Sequence, residues 1–363
     1  MPTVTPEKKL QKTAGCVESE ISLLICCAKS TIDAEDREII NSLLQNDIDW
    51  KYLIETGQKH KILPLLYANL IAVRSDLFEK DQIQQFQNLL QSNITKNFFL
   101  TAELLEILNY LQINRIEAIP VKGVVLANLA YSNFGLRSIS DLDIIVRKKD
   151  FIKTQELLIA HEYKASSINK EVYYQQAQYY KKKNIVIGID LHYEFAPKNH
   201  FAAVDSSLFW ANTEYSKIGN QDIKVFALEY TLIHLCLEGV KEHWRSLNRL
   251  CDVSELIFKQ EINWKLLLAN AETLNKKEVV LLGLYLVHTI LNTPIPDDIL
   301  SETNHFLTHK ISQDKIHKFL FRTEFSLFRA IEWYLFISQA FSSPAAKIQY
   351  LYQVVQEKLK SKK

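Results

Sequence analysis

Between Ala118 and Tyr193 the spacing of apolar residues changes from the helical period to the two-residue alternation of strands, and elsewhere the helical period dominates. A chain patterned this way is constrained to an α+β arrangement, with helices before and after a central sheet. From Val17 to about Leu111 the helical spacing is seen in Ile39, Leu43 and Leu44, then in Leu65, Leu66, Leu70 and Ile71. Pro64 is placed to open one of these helices, because its missing N–H is harmless in a first turn. Thr101 to Leu111 reads as a further helix leading into the sheet. Beyond Ala227 the period returns with Leu228, Leu232, Leu235 and Cys236 and persists to the C-terminus, ending in a basic tail, Lys358 to Lys363, that is expected to fray. The chain therefore divides into a helical N-terminal region over 1–115, a sheet-bearing core over 116–226 and a helical bundle over 227–363.

Within the core, Ala118-Ile119-Pro120-Val121 reads as a strand, Lys122-Gly123 as a tight turn and Val124 to Tyr131 as a helix. A polar loop, Asn133 to Ser140, leads into the alternating segment Asp141-Leu142-Asp143-Ile144-Ile145-Val146. Asp150 is expected to cap a helix through Ala160. A hairpin follows, with arms in Ala177 to Lys182 and Ile185 to Tyr193 and a turn at Lys183-Asn184.

Composition sets the broad class. The 363 residues are 47% hydrophobic and 23% charged, as in an ordinary globular protein, and a net charge of +1 supplies no field that draws the whole molecule to nucleic acid or membrane. The five cysteines are odd in number, with Cys26 and Cys27 adjacent, a poor disulfide framework that suits reduced thiols and the cytoplasm. Met1 to Leu10 is polar and the apolar run Ile21 to Ala28 is too short to span a bilayer, so neither a signal peptide nor a membrane segment is expected.

The chemistry lies in three aspartates. Side chains two apart in a strand share a face, so Asp141 and Asp143 project together while Leu142, Ile144 and Val146 turn into the core. In the second hairpin arm Ile185, Ile187, Ile189 and Leu191 form one face, leaving Val186, Gly188, Asp190 and His192 on the other, where Asp190 is placed to join the pair. Carboxylates held side by side repel unless a cation lies between them or a proton is shared. Three from neighbouring strands suit Mg²⁺, a hard ion that takes oxygen ligands and completes its shell with water and substrate phosphates. Two such ions about 3.5–4 Å apart clamp an in-line displacement at phosphorus, the geometry of nucleotidyl transfer. A D-x-D pair by itself equally describes two exposed aspartates at a strand start. Its weight comes from order: a strand ending in a Gly turn, a helix, the D-x-D strand, then an aspartate within a further strand.

With Lys122-Gly123, Arg137 through Asp141-Leu142-Asp143, and Ile189-Asp190-Leu191-His192 in that order, the chain resembles the DNA polymerase beta-like nucleotidyltransferase superfamily, in particular its bacterial branch of uncharacterised nucleotidyltransferases. Upstream, Trp50 with His60-Lys61-Ile62-Leu63-Pro64-Leu65-Leu66-Tyr67 is similar to that family's helical lead-in. Downstream, Leu235-Cys236-Leu237-Glu238-Gly239, His243-Trp244 and Leu250-Cys251-Asp252 are similar to its helical tail. The resemblance implies a polymerase beta-like mixed sheet flanked by both helical regions. It also implies transfer of a nucleoside monophosphate from an NTP to an acceptor, with Mg²⁺ as cofactor and pyrophosphate released. Asp141 and Asp143 become metal ligands by this likeness, and Asp190 the third carboxylate, set to ligate a second metal and help deprotonate the acceptor. Most of the superfamily carries Gly-Ser where this chain has Lys122-Gly123. Lys122 thus either replaces the hydroxyl with a charge–phosphate contact or is a surface lysine at a turn, while Gly123 allows close backbone approach and opens a helix whose N–H groups face an anion.

Arg137 is placed either to grip phosphate or to pair with the aspartates, and His192 either to serve the acceptor or to sit as a half-buried sheet histidine. Tyr131 and Tyr193 are read as core. His234, Cys236, His243 and Cys251 lack zinc-site spacing and are read as packing, with His243, Trp244 and Asp252 also placed to line the acceptor side of a cleft. The runs Arg147-Lys148-Lys149 and Lys181-Lys182-Lys183 are short for a nucleic-acid track, though an RNA acceptor is compatible with them. The acceptor is thus a small molecule, a protein or an RNA end, and neither it, the base nor the oligomeric state is selected by these residues. The rival readings are a catalytically degenerate NTP-binding sensor or scaffold, and a phosphotransferase on the same fold.

Overall fold

A computed structural model describes residues 18–166, 176–183, 185–195, 204–306, 316, 319–321, 327–338, 341 and 343–360. Residues 18–26 are helical, and helices follow at Ala34–Leu43, Trp50–Lys59 and Leu63–Arg74, the last with Pro64 in its first turn. Next comes one unbroken helix of 34 residues, Lys80–Ile113, about 50 Å long. Thr101–Leu111 is therefore the last third of a longer helix and not a separate one: the segment contains neither Gly nor Pro to break it. At its start the Glu79 N–H donates to Gln82 Oε1 at 2.9 Å, closing a capping box.

The sheet has five strands: β1 (Ala118–Val121), β2 (Leu142–Val146), β3 (Lys164–Ala165), β4 (Gln176–Lys182) and β5 (Val186–His192), in spatial order β1-β2-β5-β4-β3. β2 and β5 run parallel and the other neighbours antiparallel, so the sheet is mixed, as expected. Asn184, in the expected hairpin turn, lies outside the described residues, as do 1–17 and 361–363, where the leader reading and the end of the basic tail fall; Lys358 and Lys360 belong to the last helix. Asp150 stands at the start of helix Phe151–Ala160 but does not cap it with its side chain. Its backbone is already near-helical (φ −98°, ψ −5°) after a short 3-10 turn, so the carboxylate is not aimed at the free N–H groups as an extended cap residue would aim it. A second hairpin, β6 (Thr213–Ile218) and β7 (Gln221–Phe226), turns at Gly219 with φ +60°. Sequence reasoning passed over it because β6 buries only Ile218 and so shows no alternation of burial.

The two faces of the sheet meet different partners. Leu142, Ile144, Val146, Ile187, Ile189 and Leu191 share a core with Leu100, Leu104, Ile107 and Leu111 of the long helix. On the opposite face Ile119, Val121 and Ile145 join a larger core built by the N-terminal helices together with Leu228–Lys241, Leu247–Lys259 and Lys277–Leu291. Trp244, fully buried, fixes how closely those helices approach: a Cβ on Gly239 would fall 2.3 Å from its ring and one on Gly283 3.2 Å. No helix among the described residues is long and apolar enough to cross a membrane.

Candidate active site

Toward the N-terminal end of β2 that second face turns polar, and a cleft of about 380 Å³ opens between the sheet and the Leu228 and Leu247 helices. Strand register brings the residues together. Val121 pairs with Asp143 and Asp143 with Asp190, so the end of β1, the start of β2 and the middle of β5 lie side by side. β1 stops at a sharp turn in which Lys122 has φ +53°, ψ −137° and Gly123 φ +32°. A Cβ at Gly123 would sit 3.4 Å from the Asp141 carbonyl oxygen, so both the dihedral and the close approach favour glycine. Lys122 has no such freedom, and a non-glycine residue in that region costs about 1–3 kcal/mol, a strain of the kind that collects at functional sites.

Asp143 is the hub. Lys122 Nζ lies 3.4 Å and His192 Nε2 3.3 Å from its Oδ1. Burial alone would raise the Asp143 carboxyl, but the charge of Lys122 and the bond from His192 outweigh it and hold the group well below the usual carboxylate range. Lys122 also donates to Glu238 Oε2 at 2.6 Å, and Lys241 holds the other Glu238 oxygen at 2.9 Å. Desolvation of Lys122 is overcome by Asp143 and Glu238, which keep the ammonium charged, while Lys122 and Lys241 overcome desolvation of Glu238 and hold it ionised. Asp190 behaves in the opposite way. Among the described residues its hydrogen-bond donor is the neutral amide of Gln178, 3.0 Å from Oδ1, and burial followed by the negative charge of Asp143 pushes its carboxyl up, with Asp141 adding to the effect.

The seven residues given a catalytic, metal or nucleotide role from sequence all line this cleft: Lys122, Gly123, Arg137, Asp141, Asp143, Asp190 and His192. Their grouping differs from the expected trio of aspartates. Ligand atoms of Asp143, Asp190 and His192 lie within 4.8 Å of one another, whereas Asp141 stands beside them just ahead of β2, its Oδ1 accepting from Ser140 at 2.8 Å. A cation suits this place, since the carboxylates of Asp143 and Asp190 are adjacent and one is destabilised by the other. Arg137 does not pair with Asp141 or Asp143. Its Nε and one terminal nitrogen bind Asp252 at 2.8 Å each, and the other donates to the Gly123 carbonyl at 3.3 Å.

Asp252 and His243 do not line the cleft, and neither does Trp244. Asp252 is buried beneath Arg137 and the Tyr131 hydroxyl, which donates to it at 2.8 Å, and His243 pairs with Tyr350 in the bundle core. Within the basic runs Arg147 is tied to Glu117, Lys181 to the His161 carbonyl, and Lys183 to Glu103 and Glu106. Sequence reasoning gave no role to Glu238, Lys241, Asn248 and Arg249, which form the far wall. The available signal was a carboxylate at 238 directly after the apolar run Leu232–Leu237, broken only by His234, with Lys241 one helical turn later.

Similarity to known proteins follows the cleft. No curated protein matches the chain. Among solved structures it is similar to that of an antigenic nucleotidyltransferase-like protein from Paracoccidioides brasiliensis, at 14% identity and a TM-score of 0.33, over 58% of this chain and 96% of that one. At that level the likeness carries no weight on its own. The profile described as uncharacterised nucleotidyltransferase, in contrast, matches residues 46–292. That span opens before helix Trp50–Lys59 and closes just after Leu291, so it takes in the sheet, the turn at Gly123 and both helices of the far wall, and the chain belongs to the uncharacterised nucleotidyltransferase family.

Proposed function

We propose that the protein transfers a nucleoside monophosphate from an NTP to an acceptor with the help of Mg²⁺, releasing pyrophosphate. The observation that carries this reading is the convergence of Asp141, Asp143 and Asp190 on one polar cleft at the paired start of β2 and middle of β5. In it, Asp143 and Asp190 hold the metal with Asp141 beside them, and Lys122 and the Gly123 backbone meet the triphosphate. When bound, Mg²⁺ supplies charge neutralisation at the phosphoryl oxygens and lowers the cost of deprotonating the attacking group. Asp190, which no lysine or arginine pairs with among the described residues and whose carboxyl is pushed up, is the carboxylate suited to take the acceptor's proton. His192 orients Asp143 through the 3.3 Å contact. Arg137 acts at one remove, bracing the Gly123 turn against Asp252.

The site is self-neutralised in part by Lys122, which lies between Asp143 and Glu238. With a metal held by Asp143 and Asp190, Lys122 would keep Glu238 and turn its remaining donors to the triphosphate. Incubation with labelled NTPs and Mg²⁺, scored for pyrophosphate and for label on candidate acceptors, tests the assignment. Release of a nucleoside diphosphate instead points to phosphoryl transfer, and NTP binding without pyrophosphate from any acceptor preparation points to a sensor or scaffold. The acceptor classes carried forward are small molecules, proteins and RNA ends.

A further inference from the structure

One turn before Glu238, on the same face of its helix, stands His234. It is 4% exposed, its ring packs against those of Phe195 and Phe226 at 5.0 and 6.4 Å, and neither ring nitrogen has a hydrogen-bond partner among the described residues. A leucine or phenylalanine would fill this place without orphaned polar atoms, so a histidine here demands a partner that the side chains themselves do not provide. Burial pushes the imidazole down to about 3 despite the nearby charge of Glu238, and Lys122 adds to the effect, so the ring is neutral and offers one N–H and one lone pair.

The ring borders a cavity of about 10 Å³ immediately behind the cleft, between the sheet and the helix. Val121, Ile145 and Phe195 form its apolar wall; Lys122, His192, Glu194 and Glu238 supply its polar groups, and Lys122, His192 and Glu238 line the cleft in front as well. A space of roughly 10–15 Å³ bordered by several polar groups holds one water molecule. We propose that this cavity binds a single ordered water bridging His234 to Glu238, which makes His234 a positioning residue for the carboxylate on which Lys122 is anchored. The water accepts from the imidazole N–H and donates to Glu238, whose two oxygens each already accept from a lysine and keep a lone pair free. It thereby fixes the carboxylate, and with it the ammonium that faces Asp143. The bridge itself is independent of any substrate; its consequence for NTP rests on the reading of Lys122 given above.

Two measurements on the free protein, without nucleotide or metal, test it. A crystal structure that orders other buried waters is expected to show one within hydrogen-bond distance of a His234 nitrogen and a Glu238 oxygen. A cavity that is dry, or closed by its own side chains, overturns the proposal. In protein labelled with ¹⁵Nζ-lysine, hydrogen exchange at Lys122 is expected to be several-fold faster in His234→Leu than in the native chain, and to return toward the native rate in His234→Gln, which restores a donor and an acceptor. Exchange unchanged in His234→Leu, or no better in His234→Gln, also overturns it. Should Lys122 exchange respond as expected while the affinity for Mg²⁺ and ATP stays at the native value, the bridge stands and the phosphate role of Lys122 falls.

Discussion

Two buried cations tie the sheet core to the C-terminal helices, and they are built differently. Arg137 is locked in place: two nitrogens of its fork meet Asp252 at 2.8 Å, the third meets a backbone carbonyl, and Tyr131 shares the same carboxylate. Lys122 is divided, 2.6 Å from Glu238 but 3.4 Å from Asp143, on a backbone that favours glycine. A planar fork locked onto one carboxylate gains from staying, whereas a point charge shared between two carboxylates has a looser contact to exchange. The first centre is a rivet and the second a placeholder for ligands, although sequence reasoning gave both residues the same phosphate-binding prospect.

The sharpest way to separate the centres is at Asp143. Asp143→Asn keeps shape and removes one charge, and is expected to lower metal-dependent turnover about 10³-fold or more, the loss of several kcal/mol of transition-state stabilisation, with the circular dichroism of the native fold. Near-native turnover in a folded variant removes the metal role. At the other centre, Arg137→Met leaves Asp252 buried without its charge partner and is expected to cost about 3–5 kcal/mol of stability in denaturant unfolding. The double variant Arg137→Met/Asp252→Leu recovers much of that loss if the pair is structural. A single variant that unfolds at the native midpoint contradicts the rivet.

The contrast also marks what the sequence disclosed. Alternation in Asp141–Val146 and Ile185–Leu191 fixes which face each aspartate takes, because period and face are local properties, and the faces came out as read. The mixed sheet followed from the resemblance, and the order of its strands from neither. Partner choice is not local. Nothing near Arg137 in the chain indicates that its carboxylate is Asp252, 115 positions on, and nothing near Lys122 indicates Glu238, 116 positions on. The packing read for His243 holds, but its alternative place at the cleft, with Trp244, fails for the same reason: their positive φ angles, 57° and 50°, swing the chain at the helix end into the bundle core, and an identity-based reading does not see that turn. Gln178 escaped because the neutral partner of a carboxylate has no sequence signature.

Protons and metal should compete on the Asp190 side of the cleft. The Asp190 carboxyl is raised in the folded chain, so its contribution to stability is present in full below its ordinary value of 3.8 and is lost as pH rises through the higher folded value. Asp143 is depressed, so its contribution is present above 3.8 and disappears only as pH falls through a lower folded value. Above that folded value the protein carries an unfavourable charge at Asp190 that a cation relieves. Saturating Mg²⁺, at about 100 times its dissociation constant, is expected to stabilise the fold by about 2.7 kcal/mol at pH 7.5, and by clearly less at pH 5. Asp190→Asn is expected to raise the metal-free Tm at pH 7.5 and to abolish the Mg²⁺ increment. Equal increments at the two pH values, read by thermal shift, would mean that the ion binds elsewhere.

The smallest effect belongs to the rivet's outer support. The loop before Asp141 is stitched to the long helix by Asn93, whose amide donates to the Gly135 carbonyl at 2.6 Å and the Arg137 carbonyl at 3.3 Å, and by Asn97, which reaches the carbonyls of Phe134 and Arg137 at 2.7 and 2.9 Å. The two asparagines hold the backbone of Arg137 as Asp252 holds its side chain, and neither approaches the carboxylates. Asn93→Ala removes hydrogen bonds from a half-buried position, and the Arg137 carbonyl keeps its bond from Asn97, so the expected cost is about 1 kcal/mol in unfolding free energy. If the two centres are separable, the Mg²⁺-dependent gain in Tm stays at its native size in this variant. A lost metal response with an unchanged fold would instead join the loop to the placeholder centre, making Asp141's position depend on the long helix.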